Sequence, residues 1–297
     1  MADLIAGEHH FAAPNGLDFT YTVRYSEQSV NSLPVLVQCP GWGIGSRYLE
    51  VGLSPLEKHF KFIYFHPRGT AGSSRPDDPT EMSCFDMARD LELFRIYLRF
   101  DRYPALLGHS HGGAIALAYA QLFPENVTKI ILIDHRLIGF DDSSASRGFK
   151  RDRKGDSRYD KAYKVQDTAS PTSDSEFTEL FHEMAPIYFY DPEAHIPAFF
   201  AALGQDQISL WCVQKVNAAE KKVKREATMI KGLKRVTAQT LIIFGNQDAQ
   251  CTIENLEQTK SGIHSATGIV LDECGHFPWI EKREETFTAV RAFLEAE

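Results

Sequence analysis

The sequence predicts an α/β fold: a mostly parallel central sheet with helices on both faces, interrupted by a helical insertion. Three observations lead there. Short, continuously apolar strands alternate with helical segments through the first 135 residues, as in a parallel sheet covered on both sides. The alternation stops between about His135 and Val236 and resumes at Thr240. One of the early strands also runs into a glycine-flanked serine, with a small-residue helix directly after it. The two flanking segments are therefore expected to complete one core domain, 1–135 and 237–297. Residues 136–236 are expected to form a helical cap.

The elements follow in order. Phe19, Tyr21, Val23 and Tyr25 alternate as in a half-buried strand. Pro34–Cys39 is a short apolar strand ending in Pro40-Gly41-Trp42-Gly43, and Phe62–Phe65 is another, ending in His66-Pro67-Arg68-Gly69. A helix is expected from about Ser83 to Phe100, where Met87, Leu91, Phe94 and Leu98 recur at helical spacing. Ser83 followed by Asp86 supplies its start signal. Ala105–Leu107 is a strand, Gly113–Phe123 a helix and Lys129–Asp134 a strand. Gly139–Pro171 is polar and charged and is expected to be a long loop. Glu176–Met184, Pro197–Leu203 and Ile208–Leu233 look helical. Strand Thr240–Gly245, helix Ile253–Ser261, strand Gly268–Asp272 and helix Pro278–Glu297 close the chain.

Composition narrows the function. The 297 residues are 43% apolar and 24% charged, which suits a folded protein rather than a disordered one. A net charge of −8 argues against broad capture of nucleic acid or anionic membrane. No apolar run approaches the roughly 18 residues of a membrane span. The start, MADLIAGEHHF, lacks a basic region followed by a long apolar one. Five scattered cysteines, Cys39, Cys84, Cys212, Cys251 and Cys274, suggest free thiols in a reducing compartment. A cytoplasmic protein is expected, with a small-molecule substrate as partner, no nucleic acid, no membrane, no cofactor and no metal. A homodimer is left open.

Gly108-His109-Ser110-His111-Gly112 matches G-x-S-x-G in the strand–turn–helix context of a nucleophile elbow. The tight turn holds the serine hydroxyl out at the carboxyl edge of the sheet. Serine is a weak nucleophile unless a base removes its proton. His276, after the last strand, is the candidate base, and Asp248, after the preceding strand, is the candidate acid that orients it. The order Ser110, Asp248, His276 is the one this kind of sheet uses. Asp134, ending the strand after the nucleophile helix, is the rival acid.

With these residues the chain resembles the α/β-hydrolase superfamily, over roughly residues 15–135 and 237–297. The resemblance implies the α/β-hydrolase fold, a Ser110-Asp248-His276 triad and an oxyanion hole from the backbone N–H groups of Trp42 and His111. Pro40-Gly41-Trp42-Gly43 looks like the family's oxyanion loop, with Pro40 where a histidine is usual. His66–Ser73 resembles the family's Asp-x-Arg-Gly-x-Gly-x-Ser loop, with His66 at the aspartate position, and is assigned a structural role. Gly275–Glu281 and Pro186–Pro192 are similar to proline iminopeptidase-like members, which have a helical cap. Those members carry His-Gly-Gly-Pro-Gly at the oxyanion loop, where this chain has Cys39-Pro40-Gly41-Trp42-Gly43. Epoxide hydrolases and haloalkane dehalogenases are similar too, but Ser110 excludes their carboxylate-nucleophile chemistry.

A cap inserted after the sixth strand sits over the carboxyl ends of the strands, where α/β sheets bind ligands. Its aromatics suggest an apolar pocket, with Trp42, Tyr188, Phe199 and Trp211 as substrate-binding candidates. Glu179 and Glu183 share a helix face; in the resembled aminopeptidases cap acids bind a free amine, whereas a solvated acidic face is the plainer alternative. Basic clusters at 147–164 and 215–235 are expected on a solvated cap exterior. The expected function is a serine hydrolase acting on an ester, lactone or small amide through an acyl-enzyme. The alternatives are a prolyl-type aminopeptidase, a C–C hydrolase or lyase with the same triad, and a non-catalytic ligand receptor.

Overall fold

The computed structural model describes residues 4–296. Its strands are β1 Gly7–Ala12, β2 Asp18–Arg24, β3 Pro34–Gln38, β4 Lys61–Phe65, β5 Tyr103–His109, β6 Val127–Ile133, β7 Gln239–Gly245 and β8 Ala266–Leu271. They form one sheet in the order β1-β2-β4-β3-β5-β6-β7-β8. β1 and β2 are antiparallel, β2 also meets β4 antiparallel, and every pair from β4 to β8 is parallel. Strands β3 to β7 are buried nearly throughout, which is why they read as continuous apolar runs.

The helices are α1 Arg47–Leu53, α2 Cys84–Tyr97, α3 His111–Leu122, α4 Ser143–Asp152, α5 Asp160–Thr168, α6 Asp174–Met184, α7 Pro192–Leu203, α8 Leu210–Glu226, α9 Thr228–Gly232, α10 Ile253–Gly262, α11 Pro278–Glu281 and α12 Arg283–Glu295. Helices α2, α3 and α10 bury apolar residues on one face of the sheet, and α1 and α12 on the other. The start signal of α2 forms a capping box: Ser83 Oγ accepts from Asp86 N–H, and Asp86 Oδ2 accepts from Ser83 N–H at 3.1 Å. Among the described residues no helix is long and apolar enough to cross a membrane.

The segment between β6 and β7 holds α4 to α9 and, among the described residues, no strand. The loop expected at Gly139–Pro171 is instead largely α4 and α5. Phe149 of α4, Tyr159 just before α5, and Ala162 and Tyr163 of α5 gather with Ile187 and Ala249 in a small separate cluster. Arg153 lies buried over the Tyr159 ring and donates to the carbonyls of Ile187 (3.0 Å) and Gln247 (2.7 Å). A cation thus takes a place where an apolar residue would have marked the helix. The single helix expected at Ile208–Leu233 is broken at Ala227, whose φ of 48° ends α8. Two short elements, β1 and α1, were not apparent from the sequence.

Candidate active site

The site begins at a strained turn. Ser110, between β5 and α3, has φ 54° and ψ −122°, a conformation that side chains rarely adopt. Backbone from β6 and beyond fixes it: its N–H donates to Ile133 O at 3.0 Å, and its carbonyl accepts from Arg136 N–H at 3.1 Å. The flanking glycines are required by space. A Cβ at Gly112 would lie 2.3 Å from Gln38 O, and one at Gly108 would lie 2.4 Å from Gly112 O.

His276 lies in the loop between β8 and α11, and its N–H donates to Tyr188 O at 2.7 Å. Its Nδ1 is 2.6 Å from Asp248 Oδ2, with the two side chains 4% and 0% exposed. Asp248 Oδ1 accepts from the N–H groups of Gln250 (2.7 Å) and Cys251 (3.1 Å). A carboxylate oxygen at this distance accepts from the ring, which fixes the proton of His276 on Nδ1 and leaves Nε2 for the cavity. Asp134, the rival, makes no hydrogen bond to His276; its Oδ1 accepts from Gly245 N–H at 3.0 Å. Burial, and then the charge of Asp248, push its carboxyl well above the usual range, which favours its neutral form.

Two supports of this arrangement escaped the sequence. His109 Nε2 is 2.8 Å from the carbonyl of His276, and its Nδ1 is 3.0 Å from Tyr48 OH. A carbonyl only accepts, so Nε2 carries the proton and Nδ1 accepts from Tyr48. Burial holds this imidazole neutral, well below its usual range. His109 was visible only as a variable position of G-x-S-x-G.

Trp42 and His111, the expected oxyanion residues, lie together. Their rings stack with centroids 6.2 Å apart, and His111 Nδ1 accepts from Gly41 N–H at 3.1 Å. The N–H of His111 heads α3, where the first N–H groups have no partner within the helix. The Trp42 N–H has no backbone acceptor among the described residues.

Ser110 and His276 line one cavity of about 270 Å³. The core contributes Trp42, Ile44 and Tyr48, and the helical segment contributes Phe177, Phe181 and Tyr188 among others. Two of the expected pocket residues are elsewhere. Phe199 is fully buried between Phe189 and Phe277, with its ring centroid 4.4 Å from that of Phe277. Trp211 packs on Gly69 beneath Arg75, whose guanidinium lies 4.6 Å from the ring. Phe199 faces packed protein, and Trp211 is half-buried against the core under Arg75. Phe177 and Phe181 on α6 were not singled out from the sequence. Glu179 and Glu183 are exposed and absent from the cavity lining; Glu183 pairs with Lys161 at 3.1 Å.

Among the described residues, Asp248, Cys251 and His276 bring three metal-ligand atoms within 4.8 Å of one another. The carboxylate and imidazole are already bonded to each other. Burial raises the Cys251 thiol well above its usual range, so it stays protonated, the wrong state for a metal ligand. The His66 loop is structural in its contacts. His66 Nε2 is 2.6 Å from Ser46 Oγ, and Arg68 makes a two-pronged bond to Asp90 at 2.7 Å for each contact.

The chain is 25% identical over 291 residues to proline iminopeptidase PfmaB of Pestalotiopsis fici, a match covering 96% of this chain and 99% of that one. An esterase (EaEST) from Exiguobacterium antarcticum superposes with a TM-score of 0.70 at 23% identity, over 98% of this chain and 100% of that one. A meta-cleavage product hydrolase from Pseudomonas fluorescens superposes with a TM-score of 0.72 at 17% identity, over 96% of each chain. Residues 34–283 match the family described as alpha/beta hydrolase fold. With the eight-stranded sheet and the strained serine turn, this makes the chain a member of the α/β-hydrolase fold family.

Proposed function

We propose that the chain is a serine hydrolase that cleaves an ester, lactone or small amide of a small, partly apolar molecule. The observation that carries this reading is the 2.6 Å contact of His276 Nδ1 with Asp248, beside a strained Ser110 on the same cavity. His276 Nε2 takes the proton of Ser110 as Oγ attacks the carbonyl, and Asp248 stabilises the imidazolium. The tetrahedral oxyanion rests on the N–H groups of Trp42 and His111, each donor worth roughly 10²–10³ in rate. The intermediate collapses, His276 gives its proton to the leaving group, and an acyl-Ser110 remains. Water then attacks the acyl carbon while His276 takes its proton, and the acid and free serine are released.

In this reading residues 136–236 act as a cap. They supply Phe177, Phe181 and Tyr188 to the cavity, and the Tyr188 carbonyl holds the His276 backbone. The apolar lining favours a substrate with an apolar body. The position of Glu179 and Glu183 outside the cavity counts against capture of a free amine, and so against an aminopeptidase. A cytoplasmic location belongs to the same reading, supported by five buried, unbridged cysteines.

The test is a substrate panel of an oxygen ester, a lactone and a prolyl amide, each run with wild type and Ser110→Ala. The reading expects ester or lactone turnover that the substitution abolishes. Turnover of none of the three, or turnover that survives the substitution, would overturn it, and turnover of the prolyl amide alone would narrow it to the amide.

A further inference from the structure

We infer that the cavity takes a substrate carrying a carboxylate, held by Arg136 at an anion subsite beside Trp42. The inference deepens the serine-hydrolase reading and rests on it for the reaction, though not for the binding.

Arg136 is built into the nucleophile turn. Its N–H donates to the Ser110 carbonyl at 3.1 Å, so its backbone is fixed next to the nucleophile. Its side chain reaches Trp42, where the guanidinium carbon lies 5.2 Å from the ring centroid. Trp42 lines the Ser110 cavity. A second cavity, of about 260 Å³, is lined by Arg136, Lys224 and Cys251, and it shares Gln250 with the Ser110 cavity, so the two adjoin.

The two cations of this second cavity are not paired with its two acids, Asp141 and Asp142. Arg136 and Lys224 both line it, and neither has an ion-pair or side-chain hydrogen-bond partner among the described residues. Partial burial, and then the charge of Arg136, hold the Lys224 ammonium below its usual range. The two acids on the rim are engaged elsewhere. Asp142 Oδ2 accepts from Asn255 Nδ2 (2.6 Å) and Thr252 N–H (3.4 Å), and Asp141 Oδ1 accepts from Ser143 N–H (3.1 Å). A half-buried guanidinium over an indole ring, with a second cation on the same cavity, is a receptor for a planar anion. A carboxylate would take two parallel N–H bonds from Arg136 and relieve its repulsion with Lys224. A substrate amine at the same place would add a third positive charge.

Calorimetric titration of the Ser110→Ala protein with the monomethyl esters of succinate, glutarate and adipate, each against the neutral methyl ester of matched length, reads binding without turnover. At least one anionic ester should bind ten times or more tighter than its neutral partner. That margin should vanish when Arg136→Gln is added, survive in part with Arg136→Lys, and shrink at high salt. Steady-state kinetics of the matching p-nitrophenyl esters should show the same preference, carried mainly by KM. Equal binding of anionic and neutral esters at every length, or a preference that survives Arg136→Gln, would overturn the subsite. Anion-selective binding without ester turnover would support the subsite and count against the hydrolase reading alone.

Discussion

His111 Nε2 lies 3.6 Å from Glu220 Oε1, and both side chains are 2% exposed. Glu220 comes from α8, and its Oε1 also accepts from Cys84 N–H at 2.7 Å. The other nitrogen of His111 accepts from Gly41, the neighbour of Trp42. The Gly41 N–H on Nδ1 leaves the ring proton of His111 on Nε2, facing the Glu220 carboxyl too far away for a hydrogen bond but close enough to favour that orientation of a ring beside the proposed oxyanion loop. Glu220→Gln keeps an acceptor for Cys84 but removes the charge. Complete loss of an oxyanion donor costs roughly 10²–10³ in kcat, so loss of its aim is expected to cost about tenfold. The check is a split in steady-state constants: kcat falls, while KM stays within about twofold. An unchanged kcat would mean that Glu220 serves only the start of α2.

Asp248→Asn should lower kcat by about 10⁴, because the amide leaves His276 in the wrong tautomer. Asp134→Asn should leave kcat within a few-fold. The raised carboxyl of Asp134 favours its neutral form, the Gly245 bond is kept, and asparagine tolerates the φ of 39° at this position. Equal losses in the two variants would show that the buried pair works as one unit.

The same pair gives a pH dependence of stability. Asp134 binds its proton more tightly folded than unfolded, so the folded state holds the extra proton between the two pKa values. Stability from this group is complete below the unfolded carboxylate value near 4 and declines as pH rises toward the raised folded value. Asp134→Asn removes that decline. Melting curves should show a Tm advantage for the variant at neutral pH that shrinks as pH falls to about 4.

Phe199 and Phe181 separate packing from pocket. Phe199→Ala should lose about 3–5 kcal/mol of stability, as expected for a buried phenylalanine, and leave the ranking of ester substrates unchanged. Phe181→Ala should change the preference for aromatic over short acyl esters by about tenfold, since a buried ring contributes about 1.5–3 kcal/mol. Chemical denaturation and kcat/KM ratios check the two variants side by side.

The sequence made some of this legible, for physical reasons. Gly108 and Gly112 are forced by backbone contact under 2.5 Å, so the serine turn left a mark in residue type. Asp248 and His276 could be placed because each follows a continuous apolar strand. The Tyr48–His109–His276 and Gly41–His111–Glu220 contacts left no such mark, since each joins three segments far apart in the chain. Helices α4 and α5 were hidden because Arg153 takes part in their packing where an apolar residue would have signalled it. Composition showed that residues 136–236 are rich in aromatics, but not which rings face the cavity. Phe199 and Trp211 lie outside the cavity, and Phe177 and Phe181, which no pattern marks, line it.

Ser110 as the covalent nucleophile is the centre of the account, and peptide mass spectrometry after treatment with a small fluorophosphonate tests it directly. One adduct is expected, on the peptide containing Ser110, appearing as ester turnover is lost. No adduct is expected in a folded Ser110→Ala protein, and labelling should be slower in Asp248→Asn. An adduct on another residue, or inactivation with Ser110 unmodified, would contradict the assignment of Ser110.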